Sequence, residues 1–386
     1  MTRKLHWSVV AVVLFAVLPI SLFSIRGSAQ SATPSDAIAL QQEGKWLEAA
    51  EAWRAVIRNH PNDAGAYASL GVVLSNQQKY SEAVSAYKTA LSLNSKLPGI
   101  ELNLGLAEFK QGRFDAAIPA FRAVLATDPH NSQASMLLGL SYYGAKRFAE
   151  ATKYLGPASK SDPANAELHE VLAQSCLQAK KYSCALQEFR QILRQQPNSA
   201  AAHMLTGEAL DGLQRDSEAI AEFQEAAKVS PEEPDVHFGL GYLYWKSHQY
   251  DEADREFEKV LVLDPKHAQA LTYLGDMAMK RMDPDKALIL LRKAVSEKSD
   301  IRLAYMDMGA VFMQQKKYAD AVVALRRAVE LDPAQPDAHY RLGRVYQAMG
   351  KTVESQKQFA KVRELHEKSD EPLAMKISSS PPPLHP

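Results

Sequence analysis

Between Pro234 and His267 the apolar residues return twice at helical intervals, with a short polar break between the two runs. Counting Pro234 as place 1, Leu240, Gly241 and Tyr244 stand at places 7, 8 and 11, and Ala253, Phe257, Val260 and Pro265 at places 20, 24, 27 and 32. The pattern predicts two helices joined by a tight turn. A step of 34 residues in either direction finds the same residue types again: Gly71, Gly105, Gly139, Gly207, Gly275, Gly309 and Gly343 match Gly241, and Ala49, Ala83, Ala117, Ala151, Ala185, Ala219, Ala287 and Ala321 match Ala253. No insertion interrupts the count.

Each recurrent place has a physical reason. Two antiparallel helices approach to about 8 Å only where neither carries a bulky side chain at the crossing, which the Gly and Ala places supply. The aromatic at place 24, in Trp53, Tyr87, Phe121, Phe189, Phe223, Phe257 and Phe359, fills the space between the helices. Proline at place 32, as in Pro61, Pro129, Pro163, Pro197, Pro231, Pro265 and Pro333, cannot continue a helix and resets the chain direction.

These glycine, alanine, aromatic and proline places resemble the tetratricopeptide repeat family over about nine-tenths of the chain. The resemblance implies an all-α solenoid, a right-handed superhelix of about ten units over residues 30–369, starting at 30, 64, 98, 132, 166, 200, 234, 268, 302 and 336. Ala37 and Ala173 replace glycine, Ser355 replaces alanine, and Ser95 and Ser299 replace proline, none of which disturbs the register. The weak first copy and the last one have the character of end caps.

Residues 1–29 stand outside the array. Arg3 and Lys4 precede an uncharged run from Trp7 to Ile25, and Gly27-Ser28-Ala29 offers small residues before a cut, the layout of an export signal. An uncleaved membrane anchor fits the same run, although Pro19 and the small-residue exit favour cleavage. Both place the repeats outside the cytoplasm, periplasmic, secreted or membrane-anchored. The tail, 370–386, has adjacent prolines and no helical period, which predicts an extended, unpacked end.

Lys plus Arg and Asp plus Glu are equal at 45 each, which removes general attraction to nucleic acid or an acidic bilayer. A membrane partner is expected only through the N-terminal run if uncleaved. The two cysteines, Cys176 and Cys184, occupy places 11 and 19 of one unit, on opposite sides of its turn, and an oxidising compartment would allow them to bond. Buried thiols are the alternative.

No phosphate-binding loop, HExxH, paired CxxC or GxSxG occurs, so the sequence offers no enzyme signature, no metal site and no cofactor motif. His169, His203, His237 and His339 share place 4, but a row spaced by helix diameters cannot gather four ligands around one ion, and half-buried packing is the better expectation.

Places 2, 5, 9 and 12 lie one residue round from the packing stripe and align from unit to unit. In the family this surface is the concave groove that receives peptide or helical segments of other proteins. Here it carries Leu102, Leu106, Phe109, Met136, Leu140, Tyr143, Met204, Phe238, Tyr242, Trp245, Met279, Met306, Met313 and Tyr340, an aromatic and methionine-rich set suited to apolar or aromatic peptide segments. The family's grip on a C-terminal carboxylate needs Lys and Asn at places 5 and 9, where Leu102, Leu106, Met136 and Leu140 stand. The expectation is therefore a non-enzymatic binding scaffold. The alternatives are a substrate-recruiting subunit of a protein glycosyltransferase, and a carbohydrate- or cell-wall-binding envelope protein.

Overall fold

A computed structural model describes residues 33–369, and the predicted export signal or anchor and the tail after 369 lie outside them. The described residues form twenty α-helices and no strand. They pair as α1 (Pro34–Gln42) with α2 (Trp46–Asn59), α3 (Ala64–Asn76) with α4 (Tyr80–Leu93), α5 (Ile100–Lys110) with α6 (Phe114–Thr127), α7 (Ser132–Gly144) with α8 (Phe148–Ser161), and α9 (Ala166–Gln178) with α10 (Tyr182–Gln195). Then follow α11 (Ala200–Gly212) with α12 (Asp216–Val229), α13 (Pro234–Lys246) with α14 (Tyr250–Leu263), α15 (Ala268–Lys280) with α16 (Pro284–Glu297), α17 (Arg302–Gln314) with α18 (Tyr318–Leu331), and α19 (Pro336–Ala348) with α20 (Thr352–Ser369). The helices gather into two compact units that divide between Thr127 and Asp128, α1 to α6 in the first and α7 to α20 in the second. The repeat step runs through that division without a change in composition.

Within each compact unit a helix packs on its hairpin partner and on the first helix of the next hairpin. First helices of adjacent hairpins also touch, as α15 with α17 and α17 with α19, so they make a surface of their own. The alanines at place 20, from Ala49 to Ala321, are fully buried. The glycines at place 8 make room for the large side chain at place 24 rather than for a bare backbone crossing: a Cβ on Gly241 would lie 2.7 Å from the Phe257 ring, and one on Gly139, Gly275 or Gly309 would meet Leu155, Leu291 or Leu325. Ser355 in the last hairpin is buried, and its hydroxyl donates to the Gly343 carbonyl at 3.0 Å, so the substitution leaves no polar group unsatisfied.

Helix ends follow local chemistry. Asp63, Asn131, Asn165, Ser199 and His267, all at place 34, accept from a backbone N–H two or three residues into the next helix. The hairpin turn puts place 15 in the left-handed region, with glycine at Gly44, Gly112 and Gly350 and a side chain at Gln78, Lys146, Lys180, Gln214, His248, Met282 and Lys316. The next residue's N–H reaches back to the carbonyl at place 11, as from Asp283 to Ala278 at 2.9 Å, which satisfies an orphan carbonyl of the finished helix. In the first compact unit Glu108 takes place 11 on α5 and is 1% exposed, its charge met by Lys88 at 3.1 Å and Arg113 at 2.9 Å.

Candidate functional site

The residues expected to face a partner do not form one set. Leu102, Leu106 and Phe109 are half-buried on α5 of the first compact unit, where Phe109 packs edge-on to Phe114 with centroids 5.4 Å apart. In the second, Met136, Leu140 and Tyr143 on α7, Met204 on α11, Phe238, Tyr242 and Trp245 on α13, Met279 on α15 and Met313 on α17 are all half-buried, and Tyr340 on α19 is open to solvent. Met306 departs from the expectation. It is 2% exposed and belongs to the core that contains Ala338 and Leu342, so it supports the packing of α17 and has no surface to offer a ligand.

The densest assembly is on α13 and α15. Tyr242 and Trp245 stack with centroids 6.3 Å apart, one turn apart on the same helix face. Tyr273 of α15 stands edge-on to both, at 6.0 Å from Tyr242 and 5.0 Å from Trp245. Its other contacts run inward, stacked on Phe257 at 5.3 Å and tilted to Phe238 at 6.0 Å. Tyr273 therefore ties the outer rings to the core. The indole nitrogen of Trp245 donates to Asp276 Oδ2 at 2.6 Å. Lys280 pairs with the same carboxylate oxygen, and its ammonium lies 5.2 Å above the Trp245 ring and 5.6 Å from that of Tyr250. Tyr143 repeats the arrangement on α7, its hydroxyl donating to Gln174 Oε1 at 2.5 Å. In both, an aromatic tip at place 12 is held by place 9 of the following hairpin, which fixes the ring without covering it.

A row of charges borders these rings. Lys246 bridges Asp211 at 2.6 Å and Asp216 at 2.8 Å. The Tyr242 phenol is raised by burial and then by the charge of Asp211. Tyr273 is pushed up to about 12, by burial first and then by Tyr242, Asp276 and Asp307. Glu208 also titrates above the usual carboxylate range, through crowding by surrounding protein first and then through Asp211 and Asp235, although its side chain remains open to water. Asp307 on α17 is 4% exposed, and its Oδ2 has no hydrogen-bond partner. Burial, reinforced by Asp276 and opposed by Arg341 and Lys280, pushes it up to about 7.

Tyr273 and Asp307 are the site residues that the sequence reasoning missed. Both stand at place 6, outside the places taken as ligand-facing. The signal was the change at that place from Leu137, Val171 and Leu205 to Tyr273, Asp307 and Arg341.

The histidine row resolves into separate clips. His169, His203 and His237 place Nδ1 at 2.5, 2.7 and 2.6 Å from Glu188, Glu222 and Glu256 on the second helix of the same hairpin. Their Nε2 atoms lie 3.1, 3.0 and 2.8 Å from the carbonyls of Pro163, Pro197 and Pro231, which end the preceding hairpin. His339 bridges Gln358 and Pro333 in the same way. Among the described residues no group of three or more His, Cys, Asp or Glu is placed to hold a metal ion. Cys176 of α9 and Cys184 of α10 are joined by a disulfide, with Cα atoms 5.7 Å apart.

Sequence profiles described as tetratricopeptide repeat match residues 74–141, 108–175 and 142–209, then 36–98 and 238–300, and finally 337–369, and a TPR repeat profile matches 212–247 and 309–350. The chain belongs to the tetratricopeptide repeat family. No curated protein matches it. Among solved structures, a chain of the APC/C hetero-tetramer Cut9-Hcn1 is 14% identical at a TM-score of 0.52, with 89% of this chain and 82% of that chain covered, a likeness of fold. MamA from Desulfovibrio magneticus RS-1 is 24% identical over 45% of this chain and 97% of that one, at a TM-score of 0.40. YrrB, described as a TPR protein with an unusual peptide-binding site, is 21% identical over 50% and 98%, at 0.37. As a tetratricopeptide repeat protein the chain presents the first-helix surface described above, and none of its matching profiles belongs to a catalytic family.

Proposed function

We propose that this protein is a non-enzymatic scaffold that holds peptide segments of partner proteins on the first-helix face of its second compact unit. The observation that carries it is the pre-oriented pair Tyr242 and Trp245, half-buried, buttressed by Tyr273 and anchored through Asp276. Rings held in one position before binding lose little freedom on contact, so an exposed face of each can be used for recognition at low entropic cost. Met279 and Met313 on the following helices add adaptable apolar surface. Met313 borders a depression of about 330 Å³ between α17 and α19, where Arg341 and Arg344 supply its polar side.

The scaffold acts outside the cytoplasm in this proposal. The support is the apolar run from Trp7 to Ile25 behind two basic residues, together with a disulfide of the kind that persists in oxidising compartments. The purified exported protein is expected to begin near Gln30 by N-terminal sequencing.

The decisive experiment is crosslinking in intact cells with the full chain and with a Tyr242→Ala, Trp245→Ala double variant. Loss of the crosslinked partner, with the helical melting transition retained, supports the site. Undiminished capture by the double variant places binding elsewhere.

A further inference from the structure

A second charged surface is built by α10 and the turn between α11 and α12. Arg190 and Arg194 stand one turn apart on one face of α10, and with Arg215 at the N-cap of α12 they line a depression of about 310 Å³. Leu186 and Leu213 give the depression an apolar side, and Ser183 adds a hydroxyl. No acidic side chain lines it among the described residues.

The surplus of positive charge arises from how one carboxylate is used. In the first compact unit Arg54 holds the repeat place of Arg190, and it pairs with Glu82 of the next hairpin at 2.9 Å. Glu218 holds the place of Glu82, but Arg215 takes both of its oxygens, Nε to Oε1 at 2.6 Å and Nη2 to Oε2 at 2.5 Å. Arg190 is thereby left without the partner that its counterpart has, and Arg194 donates to the neutral Gln191 Oε1 at 3.2 Å. Neither arginine has a carboxylate within ion-pair distance among the described residues. Three guanidinium groups therefore face one depression with a single carboxylate to neutralise them, and the two on α10 keep their donor forks unused by any anion.

These observations concern residues outside the first-helix face and do not rest on the function proposed for it. We infer that the depression beside α10 is a second docking site, which takes an acidic segment of a partner protein. Two carboxylates of that segment, from Asp or Glu, lie close enough together to meet Arg190 and Arg194. Each accepts from one guanidinium, whose planar fork matches a carboxylate, and an apolar neighbour in the segment lies against Leu186 and Leu213. A free inorganic anion would leave those leucines uncovered. Basic segments are rejected, since they would meet uncompensated like charge.

The test uses the full chain and three short blocked peptides that share their leucine positions and carry Glu, Gln or Lys at two others, titrated by fluorescence anisotropy. The Glu peptide is expected to bind about tenfold tighter than the Gln peptide, and the Lys peptide more weakly than either. The Glu advantage is expected to shrink as salt is raised and to vanish in an Arg190→Gln, Arg194→Gln variant. Both arginines are open to solvent, so the variant retains its fold, which circular dichroism checks. A Tyr242→Ala, Trp245→Ala variant is expected to keep the whole Glu advantage. Equal binding of the Glu and Gln peptides, or an advantage that survives in the arginine variant, overturns the site. Loss of the advantage in the ring variant instead assigns it to the first-helix face, which overturns the second site and leaves the proposed function standing. Displacement of the Glu peptide by inorganic phosphate, but not by sodium chloride of the same ionic strength, makes the depression a simple anion site and overturns the docking of a segment.

Discussion

The indole of Trp245 is bonded to the carboxylate of Asp276 at 2.6 Å, across 31 residues and one hairpin. Tyr143 and Gln174 reproduce the relation with the same separation. The separation is one repeat length less one helical turn, so an aromatic tip at the end of one first helix meets a polar side chain in the middle of the next. Asp276 therefore positions the ring, and Lys280 balances the charge that does so.

Replacing Asp276 with alanine leaves the indole N–H without its acceptor and Lys280 without its carboxylate. The expected cost is about 1–3 kcal/mol in urea unfolding, together with a broader distribution of Trp245 environments in time-resolved fluorescence. Asp276→Asn, which keeps an acceptor, is expected to recover most of the indole's order.

Asp307 links stability to pH. Burial raises its carboxyl from the ordinary 3.8 to about 7, with Asp276 adding to the rise and Arg341 and Lys280 opposing it. Between those values the folded state binds a proton that the unfolded state does not, so this group's contribution to stability falls as pH rises through the window and is level above it. Asp307→Asn is expected to flatten that slope relative to the wild type and to raise stability at pH 8 by up to about 4 kcal/mol. Chemical denaturation of both proteins from pH 4 to pH 8 measures it.

Met282 occupies the left-handed turn position with φ of 64° and is 74% exposed, so it bears backbone strain and contributes little packing. Met282→Gly is expected to stabilise the second compact unit by about 1 kcal/mol, the steric relief exceeding glycine's extra entropy loss. A lower denaturation midpoint for the variant would show that the side chain contributes more than the turn costs.

The bond between Cys176 and Cys184 closes a short loop within one hairpin, at a sequence separation of 8. Its reduction is expected to lower stability by about 2–3 kcal/mol in the chain-entropy picture. Intact mass with and without reductant, on protein recovered from outside the cytoplasm, is expected to differ by two protons.

The helices, their pairing and their register were legible because each depends on a short sequence interval: glycine against a large side chain sixteen residues on, alanine at the hairpin crossing, proline after the second helix. The candidate site was legible only in part. Tyr242 and Trp245 stood out as aromatics at outward places, whereas Tyr273 and Asp307 stood at a place whose orientation depends on how one hairpin rolls against the next. Met306 shows the converse, an outward place in the count that packing turned into the core. The histidine row suggested only packing, and its glutamate and proline partners emerged once two hairpins were in contact.

By itself the sequence determined the repeat length, the two helices of each hairpin and the composition of the exposed faces, since all three follow from local periodicity and the steric limits of glycine, alanine and proline. The tertiary structure decided which arginines are left without a carboxylate, which aromatic is clamped and which methionine is lost to the core. Those outcomes depend on distances between side chains on different helices, and a one-dimensional pattern carries no record of them until packing brings the helices together.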